Sequence, residues 1–76
     1  MYLNEANPGD TIVIKDLSLV DPTRRNILRD MGLYEFGIAF IDAKDRSSIY
    51  FHKDSLTLAL ALEEAGAIEV RPYARI

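Results

Sequence analysis

The chain has 76 residues, 49% of them hydrophobic and 28% charged, with no cysteine and a net charge of −3. That length allows one domain, and the composition is globular, which excludes disordered, collagen-like and coiled-coil chains. The missing cysteines exclude disulfides and thiolate metal sites. The acidic balance argues against a nucleic-acid partner, which calls for a basic face. The longest uncharged stretch, 55–62, is far shorter than the ~20 residues that span a bilayer. No basic segment followed by an apolar run opens the sequence, so no signal peptide is expected. These features point to a cytoplasmic protein without membrane insertion.

Asn7-Pro8-Gly9-Asp10 is the first turn signal. Proline presets φ at the second position and glycine accepts a positive φ at the third, which predicts a type II turn. Thr11–Leu17 follows as a β-branched, aliphatic strand, with Ile12 and Ile14 alternating with Thr11, Val13 and Lys15. Asp21-Pro22 reads as an N-cap and first helical residue. Ile27, Leu28 and Met31 make one apolar stripe, and Gly32 stops the helix, which is expected over about 22–31. Its far side carries Arg24, Arg25 and Arg29.

A second strand is expected at Ile38–Ala43, after Gly37, and a third at Ser48–His52, joined by the polar connection Lys44–Ser47. Ser55–Ala65 is rich in helix formers. Its periodicity disagrees, because Leu56, Leu58, Leu60 and Leu62 fall at every second position. On a helix they would scatter to opposite faces, whereas on a strand they share one. A strand over about 57–61 is therefore expected, with the leucine row as core, then a helical turn at 63–65. A last strand covers about 68–71, and Pro72 opposes a central position for its continuation. Five short strands and one helix, too few for a sandwich, predict a mainly β fold, a small closed or partly open barrel.

This order of elements resembles the FeoA family, small cytoplasmic proteins of bacterial ferrous-iron uptake. The likeness rests on the Pro8-Gly9-Asp10 turn and its strand, and on Ile27-Leu28-Arg29-Asp30-Met31-Gly32-Leu33 with Gly37 behind it. Leu58-Ala59-Leu60 and Glu63-Glu64-Ala65 with Ile68-Glu69-Val70 complete it. Phe36 stands where the family usually has proline, and Ala61-Leu62 where it often has arginine. The resemblance implies an SH3-like β-barrel, a non-enzymatic accessory or regulatory role, and a partner. That partner is a membrane ferrous-iron transporter with a cytoplasmic GTP-binding domain. A related barrel also occurs in iron-dependent repressors, so a detached repressor-type barrel is an alternative.

The residues themselves offer few sites. Nucleophilic catalysis needs a nucleophile beside a base, and the lone His52 near Ser55 reads as a surface strand end. Gly32 and Gly37 lack the Lys-Ser or Lys-Thr of a phosphate loop. No cofactor is expected unless Fe²⁺ binds directly. For that ion, His52 and Asp54 form a His-x-Asp pair that Glu63 or Glu64 would complete, if the strand ends converge. That would make the chain an iron sensor or delivery module. The alternative is solvated strand ends. Arg24 and Arg25 would steer an acidic partner or simply be solvated. Tyr34 and Phe36, in the loop after the helix, are either core plugs or interface anchors. Tyr2 and Tyr73 are expected over the barrel ends. An uncovered edge strand or the exposed aromatics would support a second copy of the chain.

Overall fold

A computed structural model describes residues 1–53 and 55–73. A short 3₁₀ turn at Leu3–Glu5 precedes β1 (Thr11–Asp16), α1 (Pro22–Asp30), β2 (Ile38–Lys44) and β3 (Ser48–Lys53). After them come β4 (Leu56–Ala61), α2 (Leu62–Ala65) and β5 (Glu69–Pro72). The strands form one antiparallel sheet in the order β4-β3-β2-β1-β5. This is the expected mainly β, SH3-like small barrel, left open between β4 and β5 because no ladder joins them among the described residues.

Local chemistry sets the boundaries. Pro8 holds φ negative, Gly9 sits at φ +92°, and Asp10 N–H donates to the Asn7 carbonyl at 3.0 Å, a type II turn. The Asp21 carboxylate accepts from Thr23 and Arg24 N–H, capping α1 with Pro22 at its first position. At the other end Gly32 takes φ +94°, its N–H bonding the Arg29 carbonyl and Leu33 N–H the Leu28 carbonyl. That pair of bonds is a Schellman motif. The helix therefore ends at Asp30, with Met31 as C-cap.

The inner face of the sheet carries the core. Ile12, Ile14, Ile49, Phe51 and Leu60 are almost wholly buried. Leu28 seats α1 against them. Ile27, expected on the buried stripe, is exposed instead, and Leu28 is the one residue of α1 that is buried. Val13, expected on the outer side of β1, is buried as well. The leucine row is a strand, as its period of two requires. Leu60 is buried, Leu58 and Leu62 pack against the core, and Leu56 is exposed.

Two bulges bend the sheet. β1 shifts register between Ile14 and Asp16, and β2 between Ile41 and Ala43. The extra residues are Lys15 and Asp42, and the second matters for the outer face.

Candidate functional site

The outer face of the sheet is the most unusual surface of the molecule. Cross-strand register aligns Thr11, Phe40, His52 and Thr57 in one row over β1, β2, β3 and β4. Side chains alternate along a strand, so burying Ala39 and Ile41 turns Phe40 outward. Its ring stacks on the His52 imidazole, centroids 5.1 Å apart and planes 18° from parallel. The bulge at Asp42 brings that carboxylate to the same imidazole, with Oδ1 2.7 Å from Nδ1. His52 is thereby fixed in orientation by one ring and one acid.

The loop after α1 adds two more aromatics. Gly37 N–H donates to the Tyr34 carbonyl at 3.0 Å, closing a turn whose third position is Phe36 at φ +69°. Glycine or asparagine normally takes that place. A bulky residue there is strained, of order 1–3 kcal/mol, and persists because Phe36 N–H bonds the Ile14 carbonyl and the Gly37 carbonyl accepts from Ile14 N–H. The result holds the Phe36 ring 77% exposed on a pinned backbone. Beside it Lys53 Nζ lies 3.5 Å from the Tyr34 ring centroid and donates to the Gly32 carbonyl at 3.0 Å. Gly37 makes this stack possible, since a Cβ there would come within 3.0 Å of both Lys53 Nζ and the Tyr34 carbonyl.

Two shallow grooves meet on this face and share Ile38 and Phe40. One, of about 380 Å³, adds Thr11 and Tyr73, and the other, of about 430 Å³, adds Tyr34, Phe36, Gly37 and Lys53. Together they make a mostly apolar surface with one cation and one imidazole at its margin. Such a surface suits protein contact, where aromatic anchors on a rigid frame dominate binding.

The other expected site residues fall elsewhere. Arg24, which the sequence places on the solvent side of α1, is half-buried and grips the Glu64 carboxylate of α2 through Nε and, at 3.1 Å, through Nη2. The carboxylate raises the Arg24 pKa, first by that hydrogen bond and then by its charge. Arg25 Nη2 donates to the Val20 carbonyl at 3.0 Å and tacks the preceding loop to the helix. Both guanidiniums are thus engaged within the chain, Arg25 through Nη2 with its buried Nε left without a partner among the described residues. Of the expected metal ligands, His52 meets Asp42, Glu63 is exposed on α2, Glu64 is held by Arg24, and Asp54 lies outside the described residues. No group of three or more His, Asp or Glu able to hold a metal forms among the described residues. Phe40 and Asp42 are not singled out in the sequence, and Tyr73, expected over a barrel end, lines the outer groove with Thr11, Ile38 and Phe40. Strict alternation about Ala39 and Ile41 is a signal that exposes Phe40. Nothing local marks the bulge that aims Asp42.

No protein-family model and no curated protein matches this sequence. Its fold does match a solved NMR structure, a FeoA-like protein from Clostridium acetobutylicum, at a TM-score of 0.80 and 20% sequence identity. The alignment covers 100% of this chain and 90% of that one. The chain therefore has the FeoA-like fold. No helix among the described residues is long and apolar enough to cross a membrane.

Proposed function

We propose that this chain is an accessory protein of ferrous-iron uptake that docks its aromatic face on the cytoplasmic part of a GTP-binding ferrous-iron transporter. The FeoA-like fold supports the link to iron uptake. The observation that carries the docking reading is Phe36, strained at φ +69° and 77% exposed. A phenylalanine that serves neither the core nor an easy backbone is best accounted for by a partner that covers it. Phe40, Tyr34 and Tyr73 extend the same surface, and Lys53 supplies a cation at its rim. In this reading the protein works in the cytoplasm, holds no resident metal and carries out no chemistry.

The test is co-purification of the tagged chain with the detergent-solubilised transporter. Wild type is expected to retain the transporter, and Phe36→Ala combined with Phe40→Ser to lose it with an unchanged amide spectrum. Failure of wild type to retain the transporter would remove the functional reading. Retention by the double variant would remove the aromatic face from it.

A further inference from the structure

The two edges of the sheet are finished differently. The β5 edge is covered by the chain's own start: Tyr2 bridges Glu69, Val70 N–H donates to the Met1 carbonyl at 2.8 Å, and Leu3 N–H to the Ile68 carbonyl at 2.8 Å. Beyond its ladder with β3, β4 makes one backbone hydrogen bond along Leu56–Ala61 among the described residues: the Ala61 carbonyl, as N-cap of α2, accepts the first bond of that helix. It carries no charge, no proline and no register shift, the devices by which edge strands normally resist pairing.

The phase of β4 identifies which groups are free. Leu62 N–H donates to the Ser47 carbonyl at 2.9 Å, so that pair is hydrogen-bonded. Antiparallel pairs alternate between bonded and non-bonded. The register from Ser48↔Ala61 to Lys53↔Leu56 then turns Leu60, Leu58 and Leu56 toward β3. The N–H and C=O groups of Thr57, Ala59 and Ala61 point away from it.

We propose that β4 pairs antiparallel with β4 of a second copy of this chain, about a two-fold axis through Ala59. Only odd-numbered residues present free backbone groups, so a two-fold pairing must set odd against odd. Centring it on Ala59 uses all three within the strand: Ala59 faces its own copy, and Thr57 faces Ala61 in both directions. The Ala59 pair exchanges both of its N–H···O=C bonds, and each Thr57–Ala61 pair forms the bond from Ala61 N–H to the Thr57 carbonyl, since α2 takes the Ala61 carbonyl. On the inner face this register sets Leu58 against Leu60 of the second copy, and Leu56, 53% exposed, against Leu62. On the outer face it brings only Thr57, Ala59 and Ala61 together, with no bulk or charge to oppose closure. The strand is complementary to itself, which is what selects a second copy over an unrelated strand. The pairing is edge-on and leaves Phe36 and Phe40 uncovered, so it is separate from transporter docking.

Sedimentation equilibrium of the purified full chain tests this. Wild type is expected to show a concentration-dependent monomer–dimer equilibrium. Ala59 is exposed, so Ala59→Lys and Ala59→Glu should keep the monomer fold and lose the dimer, because each sets like charges directly opposite. Mixing the two should restore it as a heterodimer. The double variant Thr57→Glu, Ala61→Lys places opposite charges across both flanking pairs and should tighten association. A wild type that stays monomeric overturns the proposal. So does a dimer that each Ala59 variant keeps on its own, a mixture that stays monomeric, or a Thr57→Glu, Ala61→Lys variant that associates no better than wild type.

Discussion

The chain has three phenylalanines, and they divide between two environments. Phe51 on β3 is buried at 1% exposure, while Phe40 faces solvent at 43% from the neighbouring strand. The difference is one of parity. Register pairs Phe51 with Ile41 on the inner face and Phe40 with His52 on the outer. A residue's chemistry sets how much burial would stabilise it, and its position along the pleat decides whether burial occurs. Phe36 is a third case, placed outside by a turn and not by a strand. An apolar face left exposed on so small a molecule weakens the core, so its retention is informative.

The largest test of this contrast is truncation on the two faces. Phe51→Ala should cost about 3–5 kcal/mol, close to the whole stability of a domain of this size. Urea melts should find it largely unfolded. Phe40→Ser loses one stacking partner and half-exposed area, about 1 kcal/mol, and should melt as a cooperative unit. Similar losses for the two would mean that the outer face is part of the core.

A finer test separates strain from packing at Phe36. Phe36→Gly removes a side chain that touches little and relaxes the positive φ, a relief of order 1 kcal/mol, partly offset by glycine's greater freedom in the unfolded chain. Thermal melts should show equal or higher stability than wild type, with Phe36→Ala no better than wild type because its strain remains. A clear loss in Phe36→Gly would show that the ring packs.

The smallest effect concerns the β2–β3 turn, far from either phenylalanine environment in chemistry. Asp45 accepts from Ser47 and Ser48 N–H and from the Tyr50 hydroxyl. These bonds, the Ser47 N–H foremost, hold its carboxyl below the ordinary 3.8. The Asp45 carboxylate in turn raises the Tyr50 phenol above 10.0. A depressed carboxyl contributes stability that is present above pH 3.8 and is lost as pH falls through the folded value. A raised phenol contributes stability that is present below pH 10.0 and is lost as pH rises through the folded value. Asp45→Asn should flatten both limbs of a stability-against-pH curve while leaving transporter binding unchanged. An unaltered curve would mean that the turn adds nothing to stability.

Much of the fold was legible because its signals are local. Asp21-Pro22 and Gly32 bound α1 through caps made within a few residues. Pro8-Gly9 makes the expected turn, and the leucine row declares a strand against its own helix propensity. Tyr34 and Phe36 were recognisable as interface anchors or core plugs, and the structure exposes both. Ile27 was misplaced because a helical stripe shows which residues share a face, not how much of that face its neighbour covers.

The amino-acid order by itself determined the element types, the turns and the alternation that divides each strand between two faces, since these depend on neighbours within a few residues. Only the tertiary structure decided which side chains meet. Arg24 and Glu64 are 40 positions apart, and the fold brings the Arg24 side chain of α1 onto the Glu64 carboxylate of α2, turning an apparent solvent cation into an intramolecular clamp. Asp42 reaches His52 because a bulge in β2 redirects it. Phe36, Phe40 and Tyr73 become one surface because β1 joins β2 to β5. Such contacts depend on how strands and helices dock across the whole chain, and no local pattern encodes that geometry.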